Sequence, residues 1–289
     1  LVGEKRGSKY PLPMFHILNG GKHSDSGLSA QEFKLVPYGI EGYSEQLRAG
    51  SEIFHALKKL LEKEGFAVGG GDEGGFAPHL ESHAQALEMI GRAAADAGYK
   101  MGEQVFIGLD VAANSFYEQP DDQYALKPED VSLSRESLIN VYREWMEKYS
   151  VVSIEDGLNE EDWSGWAQMK EKLEKEETAW KQPVMLIGDD LLVTNVKRLE
   201  KAIAEHSCNA VLIKLNQIGT VTETLRCMRL GEQHGMNRVI SHRSGETVDD
   251  FIADLAVGAG AEFIKTGSLS RGERLSKYNR LLEIAEELA

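Results

Sequence analysis

Charged residues stand at the ends of successive apolar segments of this chain. Carboxylates end three of these segments, at Asp110, Glu155 and Asp189, and lysines end two later ones, at Lys214 and Lys265. Three carboxylates suit Mg²⁺, which prefers oxygen ligands in near-octahedral geometry. Zn²⁺ would favour His or Cys, and the sequence contains no HxH, HExxH or CxxC pairing. The pattern predicts a magnesium site with lysines beside it that either act as a base or bind an anion.

Each of these residues also has a purely structural interpretation. An acid at the end of a strand commonly caps the following helix, and a lysine can extend from a rim into solvent. A single acid would favour the cap. Three acids at matching positions, with lysines ending the next strands, favour a shared site.

The loop SHRSGE, which follows another apolar segment, has the composition of a phosphate-binding loop. His242, Arg243 and Ser244 lie in it, and Arg, hydroxyl and backbone N–H groups are good donors to phosphate oxygens. The chain lacks GxSxG, so Ser244 is not part of a nucleophile elbow.

Two glycine-containing loops supply further candidates. GGGDEGG contains a formal GxGxxG, but its acidic residues would meet a pyrophosphate and no clear helix follows, so a loop that carries Glu73 as an acid is the better interpretation. His23 follows the first strand in a turn with two glycines and is either structural or part of the site. Gln31 and Glu32 begin the second strand.

The elements that must position these residues alternate between strands and helices. The apolar segments are short and β-branched, as expected for parallel strands that are buried on both faces. Helical spacing predicts helices over 44–64, 83–97, from Ser134, and over 162–177, 196–205, 220–234, 248–258 and 271–288. The polar segment 118–124 is expected to form a hairpin or loop.

These elements predict the α/β class and a TIM-like barrel. The order is ββαα(βα)6, with an antiparallel second strand whose start lies at the same mouth as the ends of the other strands. We expect residues 1–10 to be a linker and 11–289 to be the barrel, with the active site at the C-terminal ends of the strands.

Composition narrows the function classes. The 289 residues include 47 Asp and Glu against 32 Lys and Arg, a net charge of −15, which disfavours nucleic acid and membrane surfaces as partners. Two cysteines do not suggest a disulfide framework, and no apolar segment approaches the length of a transmembrane helix or a signal-peptide core. The default expectation is a cytoplasmic enzyme.

Several strings resemble the enolase family (phosphopyruvate hydratase) from about Pro11 to Leu288. They are NGGKHSDSGLSAQEF, GGGDEGGFAP, IGLDVAANSFY, SIEDGLNEEDW, IGDDLLVTN, LIKLNQIGT, ISHRSGETVDDFIADLAVG and IKTGSLSRGERLSKYN. The resemblance implies a Mg²⁺-dependent lyase that reversibly dehydrates 2-phosphoglycerate to phosphoenolpyruvate, in glycolysis or gluconeogenesis, through a metal-stabilised enediolate. The superfamily's use of a Lys or His base with Mg²⁺ is a known pattern.

The resemblance also implies a role for each candidate. It makes Lys214 the base that removes the C2 proton, Glu73 the acid that helps the C3 hydroxyl to leave, and Glu32 its partner carboxylate. The remaining roles are Mg²⁺ ligation by Asp110, Glu155 and Asp189, phosphate binding by Arg243 and Ser244, substrate contacts by Gln31 and Lys265, and supporting roles for the pocket histidines His23 and His242.

The sequence departs from the family in one respect. Enolases have a smaller N-terminal α+β domain, absent from this sequence, whose mobile loop helps to hold a second Mg²⁺ and to close over the substrate. We therefore expect weak or no turnover from this chain by itself. With such a domain, we expect an ordinary enolase and a homo-oligomer, either a dimer or an octamer.

Two other functions stay open at this stage. A racemase or cycloisomerase of the enolase superfamily would share the three carboxylates but lack GGGDEGG and SHRSGE. A non-catalytic barrel could act as a scaffold or a surface binding protein, with a secondary cell-surface or secreted location.

Overall fold

The fold is a barrel of mostly parallel strands with helices outside it. It is seen in a computed structural model that describes residues 10–21, 24, 26–176 and 181–288. The barrel strands are β1 (Leu12–Pro13), β2 (Phe15–Asn19), β3 (Glu32–Val36), β4 (Phe106–Asp110), β8 (Val151–Glu155), β9 (Met185–Gly188), β10 (Ala210–Ile213), β11 (Asn237–Ser241) and β12 (Phe263–Lys265). Their order in the sheet is β1-β12-β11-β10-β9-β8-β4-β3-β2.

The barrel closes through its first strand, which is divided at Met14. Its first part, β1, pairs in parallel with β12, and its second part, β2, pairs with β3. The backbone N–H of Met14 donates to Ile264 O at 2.8 Å, and that of His16 to Gly267 O at 3.1 Å. The sheet therefore has no long exposed edge in the described part of the chain.

The second strand is antiparallel, as predicted. β3 runs antiparallel to both β2 and β4, whereas the later strands pair in parallel. Glu32 at its start is the register partner of Asp110 at the end of β4. The antiparallel direction therefore brings the start of β3 to the mouth of the barrel.

The helices confirm the order ββαα(βα)6. They are α1 (Tyr43–Lys63), α2 (His83–Asp96), α3 (Arg135–Tyr149), α4 (Trp163–Leu173), α5 (Val196–Glu205), α6 (Leu215–Ile218), α7 (Val221–Gln233), α8 (Phe251–Gly258) and α9 (Gly272–Glu287). The predicted start of α8 is three residues early, and the short α6 has no sequence prediction. Among the described residues, no helix has both the length and the apolar character needed to cross a bilayer.

The polar segment after β4 forms more structure than the sequence predicted. Strands β5 (Tyr117–Glu118), β6 (Gln123–Leu126) and β7 (Val131–Leu133) make a three-stranded antiparallel sheet. The expected hairpin corresponds to β5 and β6. The third strand is short, and two of its three residues are exposed, so it has no apolar signature.

Two apolar cores hold the barrel together. The larger lies between the strands and the surrounding helices. The smaller, which we call the apolar plug, fills the barrel's interior. Its members are Met14, Val36, Phe106, Val152, Met185, Ile187, Ala210, Leu212, Val239 and Phe263.

Candidate active site

A cavity of about 520 Å³ opens at the mouth of the barrel. Ten of the twelve site residues predicted from the sequence line it: Gln31, Glu32, Glu73, Asp110, Asp189, Lys214, His242, Arg243, Ser244 and Lys265. Glu155 lies within hydrogen-bonding distance of Lys265. His23 lies outside the described residues. The fold therefore collects residues that are up to 234 positions apart in the sequence.

Two neighbouring groups of carboxylates at the mouth contain the predicted metal ligands, and Glu32 also lies near Glu73 and His16. Ligand oxygens of Glu32, Asp110 and Glu155 lie within 4.8 Å of one another, because these residues are register partners on β3, β4 and β8. Asp189 directly follows β9 and forms a second group with Asp156 and Asp190. Of the three predicted metal ligands, the first group thus contains two and the second contains one.

Two lysines form ion pairs with the first group. The Nζ of Lys265 lies 2.6 Å from Glu155 Oε1, 3.2 Å from Asp110 Oδ2 and 3.2 Å from Glu32 Oε2. The Nζ of Lys34 lies 2.6 Å from Glu155 Oε2. Such short contacts are typical of charge-assisted hydrogen bonds, and they leave the carboxylates buried but paired.

The two lysines also contribute to a difference in pKa between Glu155 and Asp110. Burial acts to raise the pKa of Glu155, but Lys265 and Lys34 outweigh it and hold this pKa at about 2. Burial and then the charge of Glu155 raise the pKa of Asp110 well above its usual range. A divalent cation would stabilise both groups in their charged form, because oxygen ligands bind it as carboxylates. The donor set therefore fits a hard cation and makes a candidate acidic metal site.

Lys214 follows β10 and forms a close ion pair with Asp189. Its backbone N–H donates to Thr194 Oγ1 at 2.9 Å, and Gln217 Nε2 donates to the second oxygen of Asp189 at 3.3 Å. Burial acts to lower the pKa of Lys214, but Asp189 raises it above its ordinary value. In this arrangement the amine is protonated and held in place.

Glu73 is buried among donors from two other parts of the chain. Its Oε1 accepts from Ser244 Oγ at 2.8 Å, and its Oε2 lies 3.0 Å from His16 Nδ1. Burial acts to raise the pKa of Glu73, but the hydrogen bond with His16 and the neighbouring charges, Lys265 among them, together outweigh it and hold this pKa well below its usual range. The glycine loop thus carries Glu73 into the cavity as the sequence predicted, and α2 is the first helix after it.

The loop of His242, Arg243 and Ser244 is fastened from α9. Arg274, which is 1% exposed, donates to His242 Nδ1 at 2.5 Å, to Arg243 O at 2.8 Å and to Ser244 O at 2.6 Å. It also donates to Asp72 O at 3.3 Å, next to Glu73. One guanidinium therefore joins the predicted phosphate-binding loop to the loop of the predicted acid.

The residues of this site that sequence reasoning did not select include His16, Lys34 and Arg274, together with Asp156 and Asp190 of the second carboxylate group. His16 and Lys34 are single polar residues inside the apolar strands β2 and β3, and that pattern is a signal that could have found them. Arg274 lies near the start of a charged helix, where an arginine is ordinary, so no local pattern marks it.

Comparison with known proteins gives concordant matches. The family model described as "Enolase, C-terminal TIM barrel domain" matches residues 8–289. An enolase of Natranaerobius thermophilus is 48% identical over 288 residues. That alignment covers 100% of this chain and 65% of the relative, so the chain spans about two thirds of the relative's length.

Proposed function

This chain belongs to the enolase family through its C-terminal TIM barrel domain, and we propose that it carries the active-site barrel of a phosphopyruvate hydratase. The reaction is the reversible dehydration of 2-phosphoglycerate to phosphoenolpyruvate. The observation that carries the proposal is the presence of Lys214, Glu73 and the carboxylates of Asp110 and Asp189 in one cavity. An elimination of water needs a base, an acid and positive charge in one place.

The base and the acid reach the cavity from different parts of the barrel. Lys214 follows β10, whereas the loop of Glu73 is bridged to β2 through the pair Leu18 and Phe76. These strands are separated by two others in the closed sheet. At rest Lys214 is protonated and Glu73 is charged, so one proton must first pass from Lys214 to water and one from water to Glu73. The neutral amine of Lys214 would then take the C2 proton while the hydroxyl leaves C3 as water with the proton of Glu73, which returns both side chains to their resting charges.

Glu73 has a built-in proton partner. His16 Nε2 lies 2.9 Å from Leu18 O, which can only accept, so this nitrogen carries a proton. The other nitrogen faces Glu73 Oε2, and a proton must lie between the two atoms. An anionic substrate beside Glu73 would raise the pKa of this carboxyl and favour transfer of the proton to it.

The carboxylate oxygens at the mouth fit Mg²⁺. We assign as its ligands Asp110 and Glu155 from the first carboxylate group and Asp189 from the second. When bound, Mg²⁺ would supply positive charge where the substrate carboxylate gains negative charge. Arg243 and Ser244 would hold the phosphate. Contacts to the rest of the substrate are assigned to Gln31, Lys265, His242 and His23.

The test is formation of phosphoenolpyruvate from 2-phosphoglycerate and Mg²⁺, followed by ultraviolet absorbance. It is run on this chain and on the chain joined to an enolase N-terminal domain. Lys214→Ala should lower turnover by roughly 10²–10⁴-fold, the usual contribution of a general base. The matched control Lys197→Ala, at an exposed position of α5, should leave turnover unchanged.

Three outcomes separate the parts of the proposal. Turnover only with the N-terminal domain supports an enzyme barrel that needs that domain. Turnover that survives Lys214→Ala would overturn the choice of base. No formation of phosphoenolpyruvate by either chain would overturn the proposed activity and favour a binding role.

We extend the proposal to partners and location from the same family membership. Joined to an enolase N-terminal domain, the chain would form a homo-oligomer and work in the cytoplasm. Chromatography with light scattering on the joined chain tests the first point.

A further inference from the structure

Lys34 is a buried charged residue that the proposed reaction does not use. It lies in the middle of β3 and is 0% exposed. Side chains alternate along a strand, so Lys34 shares the inward face with Glu32 above it and Val36 of the apolar plug below it. A lysine at the boundary between a charged layer and an apolar core needs a partner, because an unpaired buried charge is costly.

The partner of Lys34 is one oxygen of a predicted metal ligand. Its Nζ lies 2.6 Å from Glu155 Oε2 and 3.5 Å from Glu32 Oε2. The second oxygen of the same carboxylate, Glu155 Oε1, faces Lys265 at 2.6 Å. The two oxygens of Glu155 therefore point to different cations.

These two cations differ in access. Lys265 lines the cavity, so an incoming ligand or ion can take over its contacts. Lys34 is fully buried beneath the cavity's lining, so a molecule entering from the mouth has no path to displace it. Its charge therefore stays beside Glu155 whatever occupies the cavity.

The fixed charge of Lys34 changes the net charge of the first carboxylate group together with its lysines. Three carboxylates (Glu32, Asp110 and Glu155) face two lysines, which leaves a formal charge of −1 instead of −2. A unit charge about 6 Å from a divalent ion changes its binding by roughly tenfold even at the dielectric constant of water, and by more in a buried site. The presence of Lys34 thus opposes the binding of any divalent cation here.

We propose that Lys34 is a fixed counter-ion of the metal site, which holds Glu155 by one oxygen and weakens the affinity for Mg²⁺ through its charge. The inference rests on the proposed function in taking Glu155 as a metal ligand. Lys34 is a positioning residue in this role, since it acts on the metal only through Glu155. It also keeps the carboxylate group paired when no metal is bound.

The test is direct measurement of Mg²⁺ binding by calorimetry on the whole chain, with Mn²⁺ binding by electron paramagnetic resonance as a second readout. Lys34→Gln keeps a donor toward Glu155 without the charge, and Lys34→Met removes both. Each should bind Mg²⁺ at least roughly tenfold more tightly than the native chain. Saturating Mg²⁺ should also raise their thermal midpoints more than it raises the native midpoint.

Two control variants test whether the change in Mg²⁺ affinity arises from the charge of Lys34 and from binding at Glu155. Lys58→Gln removes the same charge from an exposed position of α1 and should leave binding unchanged. Glu155→Gln should greatly weaken the binding, which places the ion at this carboxylate. If Lys34→Met does not fold, Lys34→Gln still gives the comparison, because its side chain retains a polar end.

Unchanged or weaker Mg²⁺ binding in the folded Lys34 variants would overturn the proposal. Unchanged binding in Glu155→Gln would overturn the metal site and this role with it. Tighter binding by the Lys34 variants, together with no turnover from the chain joined to an enolase N-terminal domain, would support the role of Lys34 while counting against the proposed reaction, so the two failures are distinguishable.

Discussion

The two ends of the barrel's interior differ completely in character although the same strands build both. At the mouth lies an ionic layer of Glu32, Lys34, Asp110, Glu155 and Lys265, and below it lies the apolar plug. On β3, Glu32 and Lys34 give way to Val36, and on β4, Asp110 and Phe106 occupy opposite ends. Two residues along a strand, roughly 6.6 Å, separate one environment from the other.

The difference indicates a division of labour between the two ends. The apolar plug stabilises the fold because its side chains are removed from water on folding, which contributes roughly 25 cal/mol per Å² of buried apolar surface. The ionic layer contributes little net stability, since the desolvation of its charges offsets their attraction. Its charges are retained where they can act on a substrate or an ion. Stability thus rests on the lower end and chemistry on the upper end.

The largest effect that tests this division is expected from Lys265→Met. This change leaves three buried carboxylates with Lys34 as their neighbouring cation, and breaking such buried pairs costs about 3–5 kcal/mol. Mg²⁺ should restore part of the loss by replacing the missing charge. Urea unfolding with and without Mg²⁺ measures both. A loss no larger than that of the exposed control Lys58→Met would contradict the pairing.

A change in the apolar plug should lower the stability of the fold without changing Mg²⁺ binding. Leu212 is fully buried there, and Leu212→Ala should lower the free energy of unfolding by about 2–5 kcal/mol through lost burial and a cavity. Its Mg²⁺ affinity should stay within about twofold of the native value, because no charge changes. Urea unfolding and calorimetry check the two parts. A large shift in Mg²⁺ affinity would show that the two ends are coupled and break the comparison.

The smallest effect on stability is expected at the hydrogen bonds of His83, which lies outside the barrel and contacts the backbone just before β3. The backbone N–H of Ala30, just before the site residues of β3, donates to His83 Nε2 at 3.0 Å, so His83 Nδ1 carries the proton and donates to Glu129 at 2.9 Å. Burial acts to raise the pKa of Glu129, but the hydrogen bond from His83 lowers it below the ordinary value of 4.5. Glu129→Gln should cost about 1–2 kcal/mol at neutral pH.

The pH dependence of that cost has a defined sign. A carboxyl whose pKa is lowered by folding contributes stability above its unfolded pKa and loses it as the pH falls through the folded pKa. The difference between Glu129→Gln and the native chain should therefore shrink below pH 4.5. Urea unfolding across this range checks it, with Glu147→Gln on the exposed face of α3 as control. A difference that is constant with pH would show that the carboxylate charge is not what matters.

Much of the fold could be predicted because its signals are local. Helix α5 follows its predicted bounds because Asn195 caps its first N–H groups and apolar residues repeat at helical spacing. The short β7 and α6 were missed because neither has enough residues to show a period. The start of α8 was placed too early at Val248, which is 71% exposed and makes no helical turn.

The candidate site could be predicted one strand end at a time. The sequence by itself determined which residues end the strands, and the parallel order of those strands brought Asp110, Glu155, Lys214 and Lys265 to one mouth. It also determined the charge of the glycine loop and of the loop that contains Arg243. Composition and two-residue periodicity suffice for this, because both depend on neighbours along the chain.

Only the tertiary structure decided how these groups are paired. The stagger of neighbouring strands brought Glu32 to Asp110 and Glu155, and it placed Lys34 under Glu155, 121 positions away. The packing of α9 likewise brought Arg274 to two loops at once. The sequence of a strand determines which face each side chain occupies. The register of that strand against the next one depends on the closure of the whole barrel.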